Sequence, residues 1–291
     1  MTVRQPLPTA PSNAWRSKRL IERVGEQCRR APLAPPARAL LKRAYHAALS
    51  LQTGGRGLRA TLPGGEVVRV RPEHRYLSWN PAEYDAFRRA VAPGAVALDV
   101  GANVGAYSVL LGQWVGPTGR VFAFEPEPSA FQGLSRHVAM NGLDVIVHPI
   151  PVALSDHEGM ARLVVSATAG EARIGGVVRA GRPDPPGTTT RVTTIDRFCA
   201  ERGIVPSFLK IDVEGLELAV LRGARDTIRR RRNLHIFVEM HPSIWPMLGV
   251  TREDILAEID RLGLVVESLI DGATPDAAWA LEGMCVRLRT V

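Results

Sequence analysis

With 291 residues, 45% of them hydrophobic and 23% charged, the chain has the composition of a globular protein large enough for a full core. Lys and Arg outnumber Asp and Glu by 37 to 29, a formal charge of +8, yet Arg is spread along the chain without aromatic-rich basic blocks, so no nucleic-acid partner is expected. Cys28, Cys199 and Cys285 lie far apart without CxxC spacing, which argues against a disulfide framework and a structural zinc site.

The opening "MTVRQPLPTAPSNAWRSKRL" lacks the apolar core of a signal peptide, and no run of about 18 apolar residues is present to span a bilayer. A cytoplasmic protein without a transmembrane segment is expected. Residues 1–13 are Pro-rich and read as loose. From Trp15 to Ser50, two basic stretches with helical spacing flank a proline-rich break, so residues 1–56 read as a helical extension and 57–291 as the main domain. "LRATLPGGEVVRVRP" alternates around Gly64-Gly65 and predicts a hairpin. "NPAEYDAFRRAVAPG" predicts a helix capped by Asn80, with Pro81 at its first position and Gly94 past its end.

From Val96 onward the pattern is strand, helix, strand, helix. "VALDV" reads as a strand, residues 104–115 as a helix, "RVFAFEP" as a strand, "PSAFQGLSRHVAMNG" as a helix and "VIVHPIPVAL" as one further strand. "ARLVVS" and "TRVTTI" are short β segments around a Gly/Pro-rich loop at 168–190, which suits a lid or pocket wall. "IDRFCAERG" is a helix, "SFLKIDV" a strand, "ELAVLRGARDTIRRRR" a single helix, "HIFVEMH" a strand and "TREDILAEIDRLG" a helix. "LVVESLI" and "AWALEGMCVRLR" close the chain as strands. Such alternation specifies an α/β fold with a mostly parallel sheet covered by helices on both faces.

In these sheets ligands bind beyond the carboxyl ends of the strands. "ALDVGANVGAYSVLLGQ" turns there from strand to helix through Gly101, Asn103 and Gly105. Glu125, 20 residues after Gly105 at the end of the next strand, is placed to accept hydrogen bonds from both ribose hydroxyls of an adenosine. The nicotinamide fingerprint G-x-G-x-x-G would need glycine at 103 and 106, where Asn103 and Ala106 stand. Asp99 would repel a pyrophosphate and attract a cationic ligand, which points to S-adenosylmethionine.

"DVGANVGAYS", "FEPEP", "ALSD", "KIDVEGLELAVLRGA" and "FVEMH" follow one another over residues 80–245 in the order seen in FkbM-type methyltransferases, which the chain resembles. The resemblance implies the class I methyltransferase fold: a Rossmann-like, seven-stranded sheet with a final antiparallel strand. It also implies S-adenosylmethionine-dependent O-methylation of a small-molecule or sugar hydroxyl. By that resemblance Asp99, Gly101, Asn103 and Gly105 line the methionine part of the cofactor and Glu125 takes the ribose. Ala153, Ser155 and Asp156 stand near the adenine, while Ser155 and Asp156 read equally as a plain turn.

An alcohol needs a base or a metal to remove its proton during attack. "KIDVEG" brings Asp212 and Glu214 to the end of a core strand, and "VEMH" brings Glu239 and His241, on one face, from its neighbour. These four are the candidate catalytic residues. His241 acts as general base in one reading. In the other, Asp212, Glu239 and His241 hold a divalent ion such as Mg2+. Glu217, and Glu214 in the plainer reading, complement a helix N-terminus, Lys210 reads as a structural or surface residue, and Trp245 and Met247 are candidates for the acceptor pocket or, equally, for core packing. Two rival functions remain: a nicotinamide-dependent oxidoreductase, and a methyltransferase-like binding protein without turnover. A homo-oligomer is compatible with all three.

Overall fold

Apolar strands that alternate with amphipathic helices can bury both faces only by stacking into a covered sheet, and the chain does so. The computed structural model describes residues 35–165, 172–175, 188–231, 233–269 and 283–290. The expected helix at 15–31, the Pro-rich segment 1–13, Cys28, most of the loop 168–190 and the start of the closing strand lie outside the described residues. These residues divide into two compact units: one within Met1–Ser78 together with Ala139–Gly142, the other within Trp79–Val138 and Leu143–Val291.

In the first unit, helix α1 (Pro35–Gln52) precedes the hairpin β1 (Leu58–Thr61) and β2 (Val67–Val70). The strands pair antiparallel, Thr61 opposite Val67, as the Gly64-Gly65 turn predicts. Asn141 ties in by donating to the Arg69 carbonyl and accepting from its amide, both at 2.8 Å.

The second unit begins with α2 (Pro81–Ala90), where the Asn80 side chain accepts from the Ala82 amide and Pro81 opens the helix. The main sheet contains β3 (Val96–Val100), β4 (Arg120–Phe124), β5 (Val147–Ile150), β10 (Phe208–Ile211), β11 (His235–Met240), β12 (Leu264–Ser268) and β13 (Met284–Thr290). Its order is β12-β13-β11-β10-β3-β4-β5. The β11, β10, β3, β4 and β5 pairs are parallel, and β13 runs antiparallel to both neighbours. This is a seven-stranded, mostly parallel sheet with its last strand antiparallel, as the resemblance implies.

Aromatic contacts show that both faces are covered. On one, Phe87 of α2 meets Phe208 and Phe237 at ring-centroid distances of 5.5 and 4.7 Å. On the other, Phe198 of α5 (Ile195–Arg202) meets Phe122 and Phe124 at 5.3 and 4.8 Å. Helix α3 (Ala106–Val115) starts two residues later than expected, because Gly105 is left-handed. Helix α4 (Pro128–Met140) follows β4, and α8 (Arg252–Arg261) carries a capping box from Thr251 and Asp254.

Two expected elements are broken. "VIVHPIPVAL" is two strands, not one. Pro151 has no amide to donate, so β5 ends at Ile150 in the main sheet while β6 (Val152–Leu154) pairs with β9 (Thr188–Thr193) in a second sheet. That sheet also holds β7 (Gly159–Val165) and β8 (Ala172–Gly175), the latter inside the expected loop, in the order β6-β9-β7-β8. Residues 217–230 form two short helices, α6 (Glu217–Arg222) and α7 (Arg225–Arg230). The break falls at Gly223, where a Cβ would stand 2.0 Å from the Ser155 carbonyl oxygen. Among the described residues, no helix is long and apolar enough to cross a membrane.

Candidate active site

The turn after β3 is built from backbone that only particular residues tolerate. Gly101 and Gly105 have φ of +77° and +86°, and Asn103 adopts +49°. The Gly101 and Ala102 amides both donate to the Phe124 carbonyl, at 3.0 and 2.9 Å, which presses the turn against the end of β4. His137 of α4 holds it from the side, its Nδ1 2.6 Å from the Val104 carbonyl oxygen.

Glu125 extends from the end of β4 into this corner. One carboxylate oxygen accepts from the Asn103 amide and the other from the Glu127 amide, both at 2.8 Å. Burial pushes its pKa up to about 7, although the two amides pull the other way. Each carboxylate oxygen offers about two acceptor positions, so one on each stays open. The Glu127 carboxylate, by contrast, accepts from the Ser129 and Ala130 amides and caps α4.

A cavity of about 290 Å³ opens beyond the strand ends. On the β4 side it is lined by Gly101, Asn103, Glu125 and the strip Val152–Leu154, and on the β10 and β11 side by Asp212, Glu214 and Glu239. The structure thus brings Gly101, Asn103, Glu125 and Ala153 together around one space. Ser155 and Asp156 are not among its lining residues. They sit in the turn after β6, where Asp156 Oδ1 contacts His157 at 2.9 Å. Gly105 packs against Leu134 instead, where a Cβ would lie 2.6 Å from a methyl group.

Asp99 lies beneath the turn rather than on the cavity wall, only 1% exposed. One oxygen accepts from Ser108 at 2.5 Å, and the other lies 3.9 Å from Lys210 Nζ. Desolvation raises its pKa against the pull of Lys210. Lys210 is not a surface residue: it is 3% exposed, directly across from Asp99 in the sheet register. It donates to Asp212 Oδ2 at 2.9 Å. Burial alone would lower its pKa, but Asp212, Asp99 and Glu239 outweigh that and hold it raised. Removing one partner of such a buried pair costs about 3–5 kcal/mol.

The second turn, at 212–215, mirrors the first. Glu214 is left-handed at φ +49° and Gly215 at +101°. The two turns touch at Gly101, where an added Cβ would fall 1.7 Å from the Asp212 carbonyl oxygen. His241, 5% exposed, follows β11, and its Nε2 lies 4.0 Å from Asp212, 3.9 Å from Glu214 and 3.7 Å from Glu239. Its Nδ1 donates to Glu217 at 2.8 Å. Burial lowers its pKa, but the Glu217 bond and the charges of Glu217, Asp212 and Glu214 carry it up to about 9. Burial, reinforced by Asp212, pushes Glu239 to about 8. One atom each from Asp212, Glu214 and His241 lies within 4.8 Å of the others, so Glu214 rather than Glu239 completes the tightest potential ligand set.

His241 does not line the cavity; it stands behind the carboxylates. Glu217 also exceeds its expected role. It is fully buried and accepts three hydrogen bonds: from the Gly215 amide at 2.8 Å, His241 Nδ1 at 2.8 Å and Trp245 Nε1 at 2.7 Å. Trp245 is therefore a buried anchor for Glu217, not an acceptor-pocket wall, and Met247 is exposed.

No curated protein matches the chain. Among solved structures, the FkbM methyltransferase of Methylobacillus flagellatus KT is 18% identical, with a TM-score of 0.43. That match covers 70% of this chain and 50% of the other, so it spans only half the length of that relative. Aeropyrum pernix fibrillarin, solved with natively bound S-adenosyl-L-methionine, is 15% identical over 79% of this chain and 93% of its own, with a TM-score of 0.42. The methyltransferase FkbM domain model matches residues 99–265, more than half of the chain and all of the site just described. The chain belongs to the FkbM methyltransferase family.

Proposed function

We propose that the chain transfers a methyl group from S-adenosylmethionine to a hydroxyl of a small molecule or sugar. One observation carries this reading: a single cavity joins a backbone-held carboxylate with open acceptor positions, Glu125, to a carboxylate cluster at Asp212, Glu214 and Glu239.

The residues suit the cofactor. Glu125 would take the ribose hydroxyls, Asn103 and Gly101 the adjoining chain, and the apolar strip around Ala153 the adenine. The excess of carboxylate at the His241 end suits a sulfonium and an ammonium. When bound, S-adenosylmethionine supplies a methyl group on a good neutral leaving group. The protein aligns the acceptor with it and draws off the hydroxyl proton. Asp212, Glu214 and Glu239 line the cavity where that hydroxyl would stand, and Glu239 would receive the proton. His241 acts through these carboxylates as a positioning residue, held by Glu217. Residues 57–291 would form the methyltransferase domain, with residues 1–56 as an added extension.

Calorimetric titration with S-adenosylhomocysteine, with NADH as control, tests the reading. Wild type is expected to bind the thioether and not NADH, and Glu125→Ala to bind it about 100-fold more weakly, as two charge-assisted hydrogen bonds are lost. Preference for NADH would establish the oxidoreductase reading instead. Thioether binding without turnover on any hydroxyl acceptor would leave a binding protein.

A further inference from the structure

We propose that Asp212, Glu214 and His241 form a divalent-cation site at the acceptor end of the cavity, for an ion of the Mn2+ or Mg2+ class. Its place in methyl transfer rests on the function proposed above; the site itself rests on the local geometry.

A group of acidic residues alone would not suffice, and the imidazole is the independent observation. Nδ1 is committed to Glu217, whose carboxylate can only accept, so Nδ1 carries the proton. That leaves Nε2 facing the carboxylates, which hold a proton on it in the ion-free chain, and an ion would take that place by displacing the proton. Nε2 makes no hydrogen bond, although the ring is 5% exposed. If the group were a plain ion pair, one carboxylate would close to about 2.8 Å. Three oxygens instead stand off at 3.7, 3.9 and 4.0 Å. Ligand atoms on an ion with bonds of about 2.1 Å are about 3.0 Å apart when adjacent and about 4.2 Å when opposite, so the observed spacing lies between the two and needs shifts of about 1 Å or less to admit one.

Charge points the same way. Asp99, Asp212, Glu214, Glu217 and Glu239 gather here against Lys210, already engaged at Asp212 Oδ2, and the His241 ring, so carboxylates outnumber the cations. That contact leaves Oδ1 as the Asp212 oxygen that faces His241. Carboxylates and one imidazole without thiolate suit Mn2+ or Mg2+, and the nitrogen favours Mn2+ over Ca2+. The Glu217–His241 hydrogen bond is the carboxylate partner that metal-binding histidines regularly have. Asp212 and Glu214 also line the cavity, so further coordination positions would be left for water or acceptor oxygens.

The test is titration of the chelator-treated full chain with Mn2+ alone, followed by calorimetry and electron paramagnetic resonance. Wild type should bind one Mn2+ per chain. Glu214→Gln and His241→Gln should each weaken binding at least tenfold, and Asp144→Asn, an exposed carboxylate, should leave it unchanged. Mg2+ should displace Mn2+. S-adenosylhomocysteine binding is measured on every variant, which separates loss of the ion from loss of the fold. No Mn2+ binding by wild type, or equal binding by all three variants, would overturn the site. Mn2+ binding without thioether binding would keep the site and overturn the methyltransferase reading. Thioether binding without Mn2+ would do the reverse, and would leave the cationic cofactor as the counter-charge of the cluster.

Discussion

The two ends of the cavity hold carboxylates by opposite means. At the Glu125 end, backbone amides do the holding: Asn103 and Glu127 each donate to one oxygen. At the His241 end, side chains hold side chains: Lys210 holds Asp212, and Glu217 holds His241 and Trp245. A backbone-held site is fixed by the shape of its turn and tolerates side-chain change nearby. A side-chain-held site depends on charge and on partners far apart in the chain. The ends should therefore fail separately under side-chain substitution and together when the backbone between them is disturbed.

Gly101→Ala applies the strongest test, because Gly101 is where the two turns meet. The new Cβ would overlap the Asp212 carbonyl oxygen, 1.7 Å away, and would also have to accept φ +77°. Overpacking and a left-handed alanine together should cost about 3 kcal/mol or more, read as a lower midpoint in urea unfolding. Binding at both ends should fall. A loss of stability below about 1 kcal/mol would mean that the turns do not touch.

Glu217→Gln should separate the ends. A glutamine puts an amide donor where Gly215, His241 and Trp245 all present donors, which costs about 1–3 kcal/mol of stability. Thioether binding at the Glu125 end should stay within about threefold of wild type. Mn2+ affinity and methyl transfer should fall about 10–100-fold, the usual effect of losing a carboxylate behind a metal-binding histidine. Equal losses at both ends would show that the cavity behaves as one unit.

The same contrast explains what can be read from the sequence. The Glu125 end is legible because its signals are local: Gly101, Asn103 and Gly105 mark a left-handed turn, and an acidic residue ends the next strand. The mostly parallel sheet follows from alternation and length. The His241 end is legible in its members, Asp212, Glu214, Glu239 and His241, but not in their support. Glu217 lies 24 residues from His241 and 28 from Trp245, and no local pattern links them. Lys210 alternates away from Ile211 as expected, but the sequence does not say that α2 and α3 cover that face, with the Tyr107 ring centroid 5.5 Å from its Nζ. The break at Pro151 is visible as a proline yet masked by apolar residues on both sides, and it sends Val152–Leu154 into the second sheet, with Ser155 and Asp156 in the turn that follows. Gly223 gives no warning, because the carbonyl that forbids its side chain belongs to Ser155 in a distant segment.

The smallest predicted effect is a pH dependence specific to the backbone-held end. Burial places the Glu125 pKa near 7 in the free protein, so the carboxylate is partly protonated at neutral pH. Ribose hydroxyls donate to the charged form, so binding lowers that pKa and expels the proton. The sign follows: thioether affinity should level off above about pH 8 and fall as pH drops through 7, by up to tenfold per unit until the pKa of the complex is reached. Glu239, near 8, titrates in the same cavity, so the comparison must be made against a variant that silences Glu125 alone. Glu125→Gln keeps one acceptor oxygen and cannot ionise, so its weaker affinity should lose the part of the slope below pH 7 and keep any part due to the other end. An identical slope in wild type and Glu125→Gln would assign the proton to the carboxylates around His241, and the ribose contact would have to be sought elsewhere.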